Sequence, residues 1–329
     1  MSEHKEKSYL LDFLVSFELM YEDLNDDEET ILDKIVAPTY KKLVMEYIST
    51  FSEKDIFKKF VSKDYNILSS LMLSQKNIIN FEQYLQAIKK LDKKEFKISV
   101  SKIFKIENTD FLLNDMESLE LSSEAKWELL LLLENFDQLK NDLVLSLQQE
   151  YAIYCSYADK ISDQYPEKID ELKELFENGT ELYDVVFKDL LALDKRDFDE
   201  LQEYLILRIS VNRVLLQYKN KLVALGTYVY DYFYEKSKEK DLELEIMQNV
   251  LKVLADQTRY GIIKCIGNGI TSNKEIASIF SITPSGVTYQ LKFLADKEII
   301  RKDNVTKQYV LNNELIKSAL ATLTSDLDL

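Results

Sequence analysis

In "TPSGVTYQLKFL", residues 283–294, Val287, Leu291 and Leu294 fall on one apolar stripe at helical spacing. Setting that stripe aside leaves Ser285, Thr288, Tyr289 and Lys292 three and four residues apart on the opposite side, with Gly286 and Gln290 beside them. The exposed chemistry is short hydroxyls, a phenol and an amide, which donate and accept hydrogen bonds without carrying charge. Base-pair edges in the major groove ask for groups of this kind on an inserted helix, and a glutamine there pairs with adenine. Lys292, Arg301, Lys302 and Lys307 are the nearby cations and suit phosphate oxygens, which fix position without reporting sequence. A face that is neutral where bases lie and cationic where phosphates lie predicts a surface for duplex DNA.

Other chemistries find no footing in the residue pattern. The only histidine is His4, which leaves the chain without its most common general base elsewhere. No G-x-S-x-G, H-E-x-x-H, phosphate-loop or dinucleotide-loop motif occurs. With 58 Asp and Glu in 329 residues, neighbouring carboxylates arise by chance. The chain is therefore expected not to be an enzyme and to need no cofactor. Two isolated cysteines, Cys155 and Cys265, with one histidine cannot supply a soft-metal ligand set, so no metal is expected. Cys265 lies on an apolar helix face and reads as a core residue.

The elements that must hold the polar face are marked by local signals. Met247, Val250, Leu251 and Leu254 mark a helix ending near "ADQTR", and Asp256 caps the next, with Ile262, Ile263 and Ile266 inward. "GNG", 267–269, ends that helix. Ser272 and Glu275 have capping-box spacing ahead of Ile276, Ala277 and Phe280. After the break "SIT", Thr283 caps and Pro284 occupies the first helical position. Two short helices across a tight turn form a helix-turn-helix, and "IIRKD" and "KQYVL" around "NVT" read as a two-stranded wing.

This stretch, residues 244–312, resembles the winged helix of ArsR-type bacterial transcription regulators. Leu251, Leu254, Ala255, Asp256, Thr258 and Arg259 match the family's opening motif, with Gln257 in place of its proline. Val287, Thr288 and Leu291 to Leu294 match its recognition helix and exit. The resemblance implies operator binding, commonly as a repressor and as a homodimer paired through flanking helices. Here those would be the helix at Met247–Leu254 and a terminal helix with Leu315, Ile316, Ala319, Leu320 and Leu323. The family's metal sensors carry paired cysteines where this chain has "SNKEIAS", so the resemblance is to members that do not sense metal. The tip "DNVT" lacks the family's glycine and arginine. A subset of these regulators carries a helical domain of some two hundred residues ahead of the winged helix, which this chain resembles in outline.

Composition and charge agree with a two-part chain. Formal net charge is -16, yet residues 250–317 carry 10 Lys and Arg against 6 Asp and Glu, a mildly basic island on an acidic body. An acidic body repels nucleic acid, which confines any DNA contact to that island. Hydrophobic content of 46% with only six glycines and three prolines predicts a folded, mainly α chain. "LLLLL" at 129–133 is far short of a bilayer span and the N-terminus lacks the order of a secretion signal, so no membrane contact and a cytoplasmic home are expected.

The expected division is 1–240, mostly helical, and 241–329, with the charged "KSKEKDLELE" as the join. Within the first part, "SYLLDFLVSFELMYEDL", "NFEQYLQAIKKLDKKEF" and residues 122–161 read as helices, Ser122 or Ser123 capping the last, and "NDDEET" as an acidic turn. "KEFKISVSKIF" fits strand and helix equally. Strands are expected around 181–230, in "ELYDVVF", "RISVNRVLLQY" and "KLVALGTYVYDYF", with a hairpin at "YKNK". Tyr151, Tyr154 and Tyr157 would share a helix side, and Tyr228, Tyr230, Tyr232 and Tyr234 a strand face. Such stripes, like Trp127, are expected in core or interface, with a phenol-lined effector pocket for a small molecule or protein as the alternative. The competing reading of the whole is a winged helix that makes protein contacts and does not bind DNA specifically.

Overall fold

The computed structural model describes residues 2–21, 25–52, 54–75, 77–106, 113–188 and 191–327, and the chain is mainly helical with a few strands. It divides into two compact units, Met1–Glu235 and Lys236–Leu329.

The first unit opens with β1 (Ser2–Glu3), α1 (Lys5–Ser16) and a 3-10 turn at Phe17–Tyr21. Short helices follow: α2 (Asp26–Ile35), α3 (Pro38–Phe51), α4 (Asp55–Lys58), α5 (Ile67–Leu73), α6 (Phe81–Lys90), α7 (Lys93–Ile103) and α8 (Leu113–Ser118). Asn25, Asn66, Asn80, Asp92 and Ser122 each accept the N–H three residues on, which fixes the heads of α2, α5, α6, α7 and the long α9 (Ser123–Gln164). "NDDEET" is therefore a capped helix start, its acids favoured by the helix dipole, and not a turn. "KEFKISVSKIF" is helical, because Phe96 and Val100 bury four residues apart behind the Asp92–Glu95 capping box. The end of the first predicted helix, 22–24, lies outside the described residues.

The buried residues of α9, among them Leu129, Leu133, Phe136, Leu143, Leu147, Tyr154 and Ile161, hold one face along 42 residues. Lys93 and Lys97 from α7 both bond Glu134 on its outer face, at 2.8 and 2.7 Å. Those two bonds, Lys93 first, bring the Glu134 carboxyl down to about 2. A depressed carboxyl contributes stability above its unfolded value, near 4.5, and loses it as pH falls toward 2. The group is solvent-screened, so Glu134→Gln is expected to cost only about 0.5 kcal/mol at pH 7. That difference from the parent should vanish in thermal melts by pH 2.

Beyond α9 come α10 (Pro166–Asn178), α11 (Thr180–Leu182), a π-helical turn at Tyr183–Lys188 and α12 (Lys195–Asp199). "ELYDVVF" is thus helical where a strand was expected. Leu182, Val186 and Phe187 bury at helical spacing, and this outweighs the β preference of its valines. The strands are β2 (Glu203–Leu207), β3 (Val214–Gln217) and β4 (Leu222–Gly226), in sheet order β1-β2-β4-β3. β1, β2 and β4 are parallel, while β3 joins β4 antiparallel through the Tyr218–Asn220 turn, at the expected hairpin.

The sheet separates two cores. Leu205, Leu207, Leu222 and Ala224 face the large core with α1, α3 and α9. Tyr204, Ile206, Val223 and Leu225 face a smaller one with Ile169, Phe176 and Val186. Gly226 is required where it stands, because a Cβ there would lie 2.2 Å from the Val211 carbonyl oxygen.

After Thr227 the chain turns helical at α13 (Val229–Leu254), which begins in the first unit and ends in the second. The strand-face grouping of four tyrosines is overturned by this. Tyr228, in the turn just ahead of the helix, and Tyr232 are buried, while Tyr230 and Tyr234 stack 5.9 Å apart, four residues apart on a helix side. The charged "KSKEKDLELE", expected as the join, is helical within α13 and begins where the second unit begins. Tyr154 is fully buried and Tyr151 and Tyr157 pack around it as core. Trp127 is 59% exposed, against expectation, because Ala125 and Leu129 take the inward positions at that end of α9. No helix among the described residues is long and apolar enough to cross a membrane.

The second unit comprises the end of α13, α14 (Gln257–Gly267), α15 (Asn273–Phe280), α16 (Pro284–Asp296), an antiparallel ribbon of β5 (Ile300–Lys302) and β6 (Tyr309–Leu311), and α17 (Asn313–Asp326). Val250, Ile262, Ile276, Val287, Leu294 and Ile299 form its core, with Cys265 buried among them. The apolar stripes of α13 and α17, the two helices expected to pair protomers, pack largely on this core. Met247, Val250 and Ala319 are buried and Leu315, Ile316 and Leu323 pack on the same core, leaving Leu320 exposed.

Candidate nucleic-acid interface

The head of α16 is set by its own residues. Thr283 Oγ1 accepts the Gly286 N–H at 3.1 Å, Pro284 follows where no N–H is needed, and Gly286 brings its backbone close to the capping hydroxyl. The break before it turns on Ser281, in the left-handed region at φ 53°, and the Ile282 N–H returns to the Ala277 carbonyl 3.1 Å away. Asp256 likewise caps α14 through the Arg259 N–H at 2.9 Å. Ser272 makes no side-chain cap bond, so the expected box with Glu275 does not form. α15 is held instead by burial of Ile276 and Ala277.

Val287, Leu291 and Leu294 point into the core, and Ser285, Thr288, Tyr289 and Lys292 stand exposed on the other side. The hydroxyls are partly engaged. Ser285 Oγ lies 2.9 Å from Thr283 Oγ1, while Thr288 Oγ1 donates to the Pro284 carbonyl at 3.0 Å and accepts from Asn273 Nδ2 at 2.9 Å. Gln290 is half-buried, and its Oε1 accepts from Arg259 Nε at 3.2 Å. A glutamine pairs with adenine through both amide atoms, and here the oxygen is already taken, which weakens the role expected of it. Tyr289 is 65% exposed, and with Lys292 it makes no hydrogen bond among the described residues. These two are the free groups of the face.

Arg301 and Lys302 are adjacent and exposed on β5, with Lys302 Nζ 5.5 Å from the centre of the Tyr309 ring. Lys307 is exposed at the ribbon tip in the left-handed region, φ 59°. None of the three makes an ion pair among the described residues. The tip is shaped by Asp303, whose Oδ1 accepts from Thr306 N at 2.6 Å, Thr306 Oγ1 at 2.9 Å and Val305 N at 3.0 Å. The Thr306 amide, then its hydroxyl, hold the Asp303 carboxyl below its ordinary range, so the tip keeps a negative charge beside Lys307. Arg301 and Lys302 are better placed for an anion than the tip is.

Arg259 and Asn273 went unrecognised from spacing alone. Arg259 lies over the Phe293 ring, 4.0 Å from its centre, and grips Gln290, while Asn273 fixes Thr288 from α15. Each acts on α16 across 31 and 15 residues of sequence, so no local pattern connects them. The only sign of Arg259 was its place in the motif after Asp256. Among the described residues no group of three or more His, Cys, Asp or Glu could hold a metal ion. No family model, curated protein or solved structure matches the chain.

Proposed function

We propose that the protein is a sequence-specific DNA-binding transcriptional regulator whose second unit is an ArsR-like winged helix-turn-helix. α16 is the recognition helix and the β5–β6 ribbon the wing. The observation that carries this reading is the uncharged, exposed face Ser285–Thr288–Tyr289 of α16 beside the unpaired cations Lys292, Arg301 and Lys302. In this reading it is a cytoplasmic repressor acting as a homodimer, with Leu320 of α17 and Leu242 of α13 as the exposed apolar groups available for pairing. The first unit is its effector domain.

The test is selection from a pool of random-sequence duplexes, followed by titration of enriched and scrambled duplexes at two salt concentrations. Enrichment of one motif with salt-sensitive affinity supports the reading, and indifference to sequence with no duplex binding at low salt refutes it. Tyr289→Ala is expected to reduce discrimination between enriched and scrambled duplexes by about 1–3 kcal/mol while leaving the thermal midpoint unchanged. An equal loss on both duplexes would remove Tyr289 from the reading face. A protein-contact role for the same unit is favoured by one feature, Val305, which is 88% exposed at the ribbon tip. That role predicts no duplex binding in any of these titrations.

A further inference from the structure

A groove of about 650 Å³ opens in the first unit between α2, α3 and the segment after β2. Its lining is apolar: Leu32, Val36, Ile209 and Val211 form the bottom, and Val44 and Met45 the wall, with Met45 65% exposed. The volume falls in the range of small-molecule sites. Its rim carries Glu29, Asp33 and Lys41. Lys41 is ion-paired with Asp33, so the two cancel and Glu29 leaves the rim negative. Upstream on α2 stand Asp26, Asp27 and Glu28, while the helix's one lysine, Lys34, is paired with Glu235.

We propose that this groove binds a lipophilic cation, an amphiphilic amine or quaternary ammonium ion, whose body lies on Val36, Val44 and Val211 and whose charge meets Glu29. An anion of the same shape meets the wrong sign, and a fully polar molecule leaves the apolar floor unsatisfied. The groove is also wired to the start of α13. The Val211 carbonyl oxygen accepts the Tyr228 N–H at 2.9 Å, and the Tyr232 hydroxyl donates to Glu28 Oε1 at 3.1 Å. The floor is thus bonded directly to the residue ahead of that helix, and α2, which borders the groove, is bonded to the helix's first turn through Glu28. The assignment of the cation as an effector rests on the regulator reading; the assignment of the groove as its binding site does not.

The experiment is titration calorimetry of the full chain with decyltrimethylammonium below its micelle concentration, with decanoate as the counter-probe. The cation should bind at least about tenfold tighter than decanoate. The double variant Glu29→Gln/Asp33→Asn removes both rim carboxylates and frees Lys41, and should weaken the cation about tenfold. Met45→Lys, at an exposed position that leaves the fold intact, should abolish cation binding and turn the preference toward decanoate. Equal affinity for the two probes, or cation binding untouched by both variants, overturns the proposal. Cation binding in a protein that ignores duplex DNA would leave the groove standing and remove the regulator reading. Duplex binding without cation binding would do the reverse.

Discussion

Asp12→Ala is expected to destabilise the first unit by about 3–5 kcal/mol, a fall of roughly 6–20 °C in its unfolding midpoint. The Asp12 side chain is fully buried on α1. Its Oδ2 accepts from the Tyr154 hydroxyl at 2.7 Å and from the Arg208 and Ile209 N–H groups at 2.8 and 2.9 Å, and Oδ1 accepts from the Ser210 N–H at 3.2 Å. Burial pushes the carboxyl up, and the four donors pull the other way, led by Ile209. Alanine removes the acceptor these four donors share, and each buried donor left unmet costs about 1–3 kcal/mol before relaxation. The Arg208 guanidinium is held separately, 4.7 Å from the Tyr9 ring centre with its Nε donating to Ser162 at 2.9 Å, so the variant leaves those contacts in place. Tyr154→Phe removes one of the four donors and should cost only about 1–2 kcal/mol. Thermal melts followed by near-ultraviolet circular dichroism separate the two. A loss below about 1 kcal/mol for Asp12→Ala would show that water or a rearranged segment replaces the carboxylate.

Arg301→Glu/Lys302→Glu is expected to weaken duplex binding about a hundredfold or more at low salt and to flatten the salt dependence by about two counterions. Both side chains are exposed on β5 with no ion pair to lose, so the fold should survive the reversal. The loss should fall equally on enriched and scrambled duplexes, because phosphates are common to both. This contrasts with Tyr289→Ala, where the loss is expected on the enriched duplex alone. Filter binding at two salt concentrations reads both quantities. An unchanged salt slope in the double variant would take the ribbon strand out of the interface.

How far the sequence could be read depended on how local each interaction is. Asp256, Thr283, Pro284 and Gly269 act within four residues of themselves, and the helix limits they predict around α14 and α16 are those observed. β2 escaped notice because both of its faces are buried, so "EYLIL" lacks the alternation that marks a half-exposed strand. "ELYDVVF" misled in the opposite direction, since valine preference suggested a strand while the spacing of Leu182, Val186 and Phe187 was already helical. Trp127 looked like core on residue type alone, and only the phase of α9 turns it outward. The face of α16 was readable as four exposed positions, Ser285, Thr288, Tyr289 and Lys292, around a buried stripe. The grip of Arg259 on Gln290 was not, because it joins residues that only the tertiary fold brings together.

The Asp12 network bears on synthesis as well as on stability. Its acceptor is made at residue 12 and its backbone donors lie 196 to 198 residues later. α1 is buried continuously from Ser8 to Ser16, and β2, which Ser8 bonds through the Ile206 N–H at 3.1 Å, appears just as late. At ordinary translation rates roughly 10–40 s separate the emergence of this apolar helix from the arrival of its partners. Throughout that interval the nascent chain presents an unpartnered apolar helix, which a ribosome-associated chaperone would be expected to shield. Chains cut short before residue 206 lack the donors that Ser8 and Asp12 bond, so when stalled on the ribosome they should stay protease-sensitive at α1.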